Sequence, residues 1–361
     1  AALAVRCAWA LEHRVPLTRA LAAAARECEE KRTLRRLLEK GGEHPDWVRR
    51  LFPVLGCTLL SLGNALPAAA DTIARLVVDE AGQCHPAYAV SGLMRAQRAL
   101  LIGDVHQLEP VVRLTRADEA RVRRTAEIEL PAERLHPYRV LDEGGASAQS
   151  LADRAVRERL TLHDHFRCQP PIIAVCDALC GYGLRVHTPK RSLAARVPML
   201  RAPLLFAPVH GAQARARGSW RNDPELDRVE AVLGSLYLAG VPWREVAVVT
   251  PYVGQLDALR QRLRGRGVPL AGDPGDLDLD VDPEAALMTG TVHRLQGGER
   301  TVVIFTTVVT EDRSLTFLDG RVNLLNVAVS RARDHLVVVG HPDALRRGAL
   351  TRLLIERAEL I

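Results

Sequence analysis

A chain of 361 residues, 47% hydrophobic and 25% charged, has room for two domains and the composition of an ordinary folded protein, which excludes a disordered or fibrous chain. No run approaches the roughly 18 apolar residues of a membrane span, and the stretch AALAVRCAWALEHR carries charges where a signal peptide has none. Seven cysteines without a regular framework fit reduced thiols, so the expectation is a cytoplasmic protein with no membrane partner; a net charge of +6 and a pI near 9.1 admit a polyanionic partner without requiring one.

Residues 1 to 40 read as two amphipathic helices, with LTRALAAAARECEEKRTLRRLLEK carrying apolar residues at helical spacing before Gly41 and Gly42. Three short β-rich runs follow, TLLSL (58–62), RLVVDE (75–80) and RALLIGD (98–104), separated by helical stretches in the manner of βαβ units. LDEGGASAQS (141–150) reads as a linker by its small, polar composition. Beyond it the alternation resumes with VAVVTPY, LMTGTVH, TVVIFTTVV and HLVVVG. Two doubly wound α/β domains, 1–150 and 151–361, are the economical reading. Asp276, Asp278, Asp280 and Asp282 lack the glycine and glutamate of a calcium-binding EF-hand loop and read as a solvated segment. Cys168, Cys176 and Cys180 form no C-x-x-C pair, so with His163 and His165 they read as core residues rather than zinc ligands.

Of the 49 basic residues only Lys31, Lys40 and Lys190 are lysines. A phosphate-cradling P-loop needs Gly-Lys-Ser/Thr, because the lysine reaches the β- and γ-phosphates and the hydroxyl holds Mg²⁺. None of the three lysines is preceded by glycine, and they are followed by Arg32, Gly41 and Arg191. These 361 residues contain no such loop.

Polar residues gather where the apolar runs end, the place where open α/β sheets bind ligands. Leu76, Val77 and Val78 read as a buried parallel strand that delivers Asp79 and Glu80 together, with Gln83 three residues on. LLIGDVHQLEP ends at Asp104 with Gln107 after it, and HFRCQP places Phe166 and Arg167 before a Pro-Pro helix start. TPYVGQ follows a strand with Thr250 and Tyr252. TVHRLQGGE carries Thr291, His293, Gln296 and Glu299, and NVAVSRAR puts Arg331 and Arg333 before the last long strand.

In this order and spacing the set resembles the superfamily 1 helicases of the branch that contains the nonsense-mediated-decay helicase, including its bacterial relatives. DEAGQ resembles motif II (DEAxQ), GDVHQL motif III, HFRCQP the tyrosine-arginine motif, TPYVGQ motif IV, TVHRLQGGE motif V and NVAVSRAR motif VI, while FPVLGCTLLSLGNALP is similar to a nucleic-acid-contacting segment. The resemblance covers residues 52 to 341. It implies two RecA-like doubly wound parallel-sheet domains, the first incomplete at its N-terminus, with the P-loop in a missing N-terminal segment or lost.

The resemblance further implies ATP and Mg²⁺ as cofactors and single-stranded RNA or DNA as partner. Asp79 would hold the metal, Glu80 would deprotonate the attacking water, and Gln107 would sense the γ-phosphate from the first domain. Arg167 and Arg331 would act as arginine fingers, with Gln296 and Glu299 also at the catalytic centre. Asp104, Phe166 and Arg333 would complete the nucleotide site. Ser61, Asn64, Thr250 and Thr291 would meet the nucleic-acid backbone, with Tyr252 and His293 as stacking or sugar contacts, although Tyr252 after a proline also fits a packing aromatic. The chain alone is expected to hydrolyse ATP very slowly or not at all. The alternative to a motor is a non-hydrolysing nucleic-acid-binding or scaffold protein descended from one.

Overall fold

The computed structural model describes residues 2–31, 43–112, 114–129, 145–216, 218–271, 285–295 and 298–361, together with Pro131, Arg134, Tyr138, Arg139 and Leu141. Gln296, the four-aspartate segment, Lys40 and the Gly41-Gly42 stop lie outside the described residues. The packing divides the chain into two units, Ala1–Val105 with Glu109–Glu158, and His106–Leu108 with Arg159–Ile361.

The first unit contains α1 (Ala2–Glu12), α2 (Arg14–Lys31), α3 (Glu43–Leu51), α4 (Leu62–Ala65), β1 (Ile73–Val78), α5 (Pro86–Leu93), β2 (Ala96–Leu101), α6 (Arg116–Thr125) and α7 (Ala148–Ala155). β1 and β2 run parallel, Ile73 opposite Ala96 and Val78 opposite Leu101. Their crossover is α5, which His85 caps by accepting the Ala87 N–H and which Pro86 opens with a preset φ. A small core of Val78, Ala81, Ala89 and Ala148 lies beneath.

Three expectations change here. β1 is parallel but only half buried: Val77 is 58% exposed and Leu100 on β2 is 56% exposed. TLLSL is not a strand, because Ser61 Oγ donates to the Thr58 carbonyl and the chain turns directly into α4; serine and threonine hydroxyls offer the backbone a local alternative to ladder pairing. The second half of the expected linker is α7, whose start is closed by a reciprocal capping box between Ser147 and Ser150. Ala148 N–H and Gln149 N–H donate to the carbonyls of Cys84 and Ala81, which ties α7 to the turn after β1.

The second unit contains β3 (Asp164–His165), α8 (Pro170–Cys180), β4 (Arg185–Val186), β5 (Leu204–Pro208), β6 (Ala214–Ala216), β7 (Ser219–Arg221), α9 (Asp223–Leu238), β8 (Val246–Thr250), α10 (Val253–Gly265), β9 (Leu270–Ala271), β10 (Leu287–Thr291), β11 (Arg300–Thr306), α11 (Asp312–Asp319), α12 (Val322–Ser330), β12 (Ala332–Gly340), α13 (Pro342–Arg347) and β13 (Glu359–Leu360). Seven strands pair in the order β13-β5-β12-β11-β8-β10-β9, every pairing parallel. Phe206, Val249, Phe305 and Val338 enter one core with α8, α11 and α12. Leu205, Val248, Ile304 and Val337, their neighbours along each strand, enter the other with α9 and α10. A sheet covered on both faces needs strands apolar at every position, which is why these read as continuous Val/Ile/Leu runs. This is the doubly wound, RecA-like α/β architecture. β5 was not evident from LLFAP, whose four residues between Pro203 and Pro208 the pattern alone does not distinguish from a loop.

Candidate functional site

In the first unit the strand end is built by close backbone approach. Glu80 adopts a left-handed φ of 53°, which a non-glycine residue holds only where its surroundings fix it. Asp79 Oδ1 accepts the Glu80 N–H at 3.0 Å, and Gln83 Nε2 donates to Glu80 Oε2 at 2.8 Å. Behind this turn the chain after β2 passes so near that a Cβ on Gly82 would stand 2.4 Å from the Asp104 carbonyl oxygen, and one on Gly103 would stand 2.5 Å from the Gly82 nitrogen. Only glycine allows that approach. Asp79 and Glu80 are consequently exposed side by side beyond the strand. Ser61 and Asn64 are exposed in the same unit, at the start of and within α4.

In the second unit a cavity of about 430 Å³ is lined by Asp164, His165, Phe166, Arg167, Arg191, Glu299 and Arg333. Arg167 Nε lies 3.3 Å from Glu299 Oε2, and Arg191 Nε lies 2.8 Å from Asp334 Oδ1. Arg333 donates to Thr301 Oγ1 at 2.8 Å, while its buried Nε has no hydrogen-bond partner among the described residues. Phe166 is 65% exposed and stacks on His187 with ring centroids 5.0 Å apart. His187 Nε2 lies 2.8 Å from Asp164 Oδ1; this hydrogen bond, with Arg185 adding to it, lowers the Asp164 pKa. Burial, helped by Arg167, lowers the pKa of His165, which suits its Nε2 to accept the Cys168 N–H at 2.8 Å.

This is a polar mouth with three guanidinium groups, one aromatic plate and an orphaned donor. Such a set fits a nucleoside phosphate: planar guanidinium forks match phosphate oxygens, and an aromatic face accepts a base.

The remaining expected residues divide by burial. Arg331 is 4% exposed and closes α12, its Nε donating to the Val327 carbonyl at 3.1 Å. Thr250 and Tyr252 do not present their side chains at the surface as nucleic-acid contacts, since both are buried. Thr250 Oγ1 accepts the Tyr252 N–H, and the Tyr252 ring packs 5.5 Å from Phe317 with its hydroxyl on the Ser314 carbonyl. Burial also pushes the Tyr252 phenol above the ordinary tyrosine pKa. Thr291, at the end of β10, is half-buried and His293 is exposed. Gln107 is half-buried in a three-residue segment that packs with the second unit. There Asn326 Nδ2 donates to the His106 carbonyl, His106 meets Tyr182 edge-on, and Leu108 enters a core cluster. That grouping differs from the expected placement of Gln107 in the first domain. Local sequence could not show it, because it rests on contacts more than 70 residues away along the chain.

The cysteine thiols of Cys168 and Cys176 are buried, and burial raises both pKa values, Cys168 to about 11. Among the described residues His210, His341 and Asp343 bring donor atoms within 4.8 Å of one another. His341 Nδ1 already accepts the Ala344 N–H and Asp343 pairs with Arg346, so these donors serve the start of α13. Sequence reading missed Arg191 and Asp164 at the cavity, and His187 behind Phe166. No spacing signal marks them, for they come from β3 and the segment that follows β4.

Residues 147–343, more than half of the chain, match a family model described as an AAA domain, and residues 18–114 match a second model of the same description. The chain belongs to the superfamily 1 helicases, in the branch of the nonsense-mediated-decay helicase. This helicase chain is 22% identical over 305 residues to the regulator of nonsense transcripts 1 homolog of Drosophila melanogaster, covering 84% of this chain and 24% of that protein. It is 27% identical over 292 residues to the 5'-3' DNA helicase ZGRF1 of Mus musculus, covering 79% of this chain and 14% of that protein. Among solved structures it is similar to the arterivirus nonstructural protein 10 helicase in complex with DNA, at 15% identity and a TM-score of 0.37, covering 80% of this chain and 44% of that one. The chain spans less than a third of the length of the curated relatives it matches.

Proposed function

We propose that these residues form part of an ATP-driven motor acting on single-stranded nucleic acid. The observation that carries the reading is the cavity of the second unit, lined by Arg167, Arg191 and Arg333, the last with an orphaned Nε, beside the exposed Phe166 ring. The base of ATP would lie on Phe166, on the face away from His187, with the phosphates toward the arginines. Asp79 is exposed with one oxygen engaged by the Glu80 N–H, which leaves the other for Mg²⁺, and the metal would neutralise phosphate charge. Glu80 would take the proton of the water that attacks the γ-phosphorus, forming the new P–O bond as the bond to ADP breaks. Arg167 would leave Glu299 for the phosphate as negative charge develops, and Arg331 would have to leave its own helix carbonyl to do the same. Loss of those contacts after phosphate departure would reopen the site, and opening and closing would move the protein along a strand.

The 361 residues contain no Gly-Lys-Ser/Thr, so the reading assigns them slow or no turnover by themselves. The test is phosphate release by a longer helicase that includes this region and a phosphate-cradling loop. Glu80→Gln should abolish turnover while nucleotide binding persists, because the amide keeps the shape but does not accept the proton. Arg167→Ala should lower the rate roughly 10³-fold or more. Single-stranded oligonucleotide should stimulate the unaltered protein, less so as salt rises. Turnover in both variants equal to that of the unaltered protein would mean that these motifs are structural. Strong oligonucleotide binding with no turnover in any form would favour the non-hydrolysing alternative.

A further inference from the structure

At the carboxyl end of the seven-stranded sheet a ring of polar side chains is sealed from solvent. Glu225, in the first turn of α9, accepts from Thr306 Oγ1 at 2.6 Å and from the Val308 N–H at 2.9 Å. Thr306 Oγ1 accepts Gln255 Nε2 at 2.9 Å, Gln255 Oε1 accepts the Asn222 N–H at 2.8 Å, and Asn222 Oδ1 accepts the Glu225 N–H at 3.2 Å. The ring closes through the cap of α9, the first turn of α10 and the end of β11. All four side chains are 0% exposed. The partners that hold the carboxyl are neutral, and burial pushes its pKa up to about 8.

The ring grips a strained point. Val308 has a φ of 68°, a conformation in which a β-branched side chain is a true outlier. It persists only where the surroundings over-determine it, and its N–H is the group that Glu225 holds. Two residues on, the Thr310 N–H donates to Gln213 Oε1 at 3.1 Å, and Ser314 Oγ donates to the same oxygen at 2.6 Å. The connection from β11 to α11 is thus fixed from both sides by side chains remote in sequence. It leads through α11 into α12, whose end carries Arg331.

We infer that Glu225 is a positioning residue: by holding Val308 in its left-handed turn it sets the path of the connection that delivers α12 and Arg331 to the nucleotide. The role given to Arg331 rests on the motor reading above; the clamp on Val308 does not. Without the carboxyl, the Val308 N–H and the Thr306 hydroxyl lose a buried acceptor, and the turn can relax to negative φ, which redirects the chain at that point. Glutamine keeps an acceptor oxygen in the same shape, whereas leucine fills the space and accepts nothing.

Hydrogen exchange of the 361-residue chain, read by mass spectrometry over peptides covering 304–316 and 320–331, tests the clamp. Glu225→Leu should speed exchange at 304–316 at least tenfold while peptides of β5 stay unchanged, and Glu225→Gln should remain within about threefold of the unaltered chain. Thr306→Val, a milder lesion that deletes one donor, should raise exchange at the same peptide by a smaller factor and keeps the test decisive where Glu225→Leu does not fold. Unchanged exchange in Thr306→Val and Glu225→Leu, or Glu225→Gln as damaging as Glu225→Leu, overturns the clamp. In the longer helicase Glu225→Leu should lower kcat with KM little changed, as Arg331→Ala does. If Arg331→Ala leaves kcat unaltered, the motor reading fails at that residue and exchange alone decides the clamp; if Arg331→Ala lowers kcat and Glu225→Leu does not, the link from clamp to finger fails.

Discussion

Two parallel sheets of this molecule, the β1-β2 pair and the seven-stranded sheet, end in opposite ways. In the first unit a two-stranded sheet keeps one face open, with Val77 and Leu100 more than half exposed, and its carboxyl end presents Asp79 and Glu80 to solvent. In the second unit a seven-stranded sheet is covered on both faces, and polar residues at its carboxyl end, Asn222, Gln255 and Thr306, are sealed into a ring with Glu225. Acidic groups wait outside the one, and hydrogen bonds close the other. The difference teaches that a polar residue after a strand has two uses: at the edge of a thin sheet it is free for a ligand, and under a thick one it is recruited to satisfy the backbone where strands turn into loops.

The contrast breaks most visibly under core truncation. Phe305 is fully buried in the middle of the large sheet, so Phe305→Ala should destabilise the second unit by about 3–5 kcal/mol. Val77→Ala should change the first by no more than roughly 0.5 kcal/mol. Denaturant unfolding followed separately for each unit measures both; equal effects would mean that the thin sheet is as well packed as the thick one.

Gly82→Ala probes the turn that presents the acids. The new methyl meets the Asp104 carbonyl at 2.4 Å, and the backbone must shift, at a cost of about 1–3 kcal/mol. Unfolding of the first unit should show the loss, and Glu80 should leave its left-handed conformation, a change visible in the amide shifts of 79–83. An unaffected turn would deny the close approach of the two strand ends.

Glu225 sharpens the comparison through pH. Its folded pKa of about 8 lies above the ordinary value of 4.5, so the folded state retains a proton that the unfolded state has lost. The contribution is fully present below the ordinary value and declines as pH rises toward 8, by up to tenfold in the folding equilibrium per pH unit. Unfolding curves at pH 5, 7 and 9 should therefore show the stability difference between the unaltered chain and Glu225→Gln moving in favour of the glutamine variant as pH rises. A pH-independent difference would mean that the carboxyl is ionised in the fold.

The smallest effect belongs to Arg167 and Glu299. Their side chains are 42% and 40% exposed, and an ion pair so open to solvent contributes no more than about 1 kcal/mol. Glu299→Gln should leave the melting temperature nearly unchanged. A large drop would show that Arg167 is held as a structural residue and not available to a phosphate.

By itself the sequence determined the order of elements and which residues follow them. Apolar runs placed β1, β2, β8, β10, β11 and β12, with Asp79 just after β1, Thr250 and Thr291 closing β8 and β10, and Arg331 just before β12; in the large sheet, burial on both faces of a parallel strand leaves a mark that needs no knowledge of partners. The TLLSL run misled for the complementary reason: its hydroxyls bond locally, and composition alone does not record which alternative a backbone takes. Tertiary structure alone decided that Tyr252 turns inward against Phe317, that His106–Leu108 packs with the second unit, that Arg191 joins Arg167 and Arg333 around one cavity, and that Glu225 meets Thr306 and Val308 more than 80 residues later. Those pairings depend on the strand order β13-β5-β12-β11-β8-β10-β9. Local periodicity fixes which face of a strand is apolar, but which strands lie side by side, and so which distant polar groups meet at their ends, is set by the packing of the whole sheet.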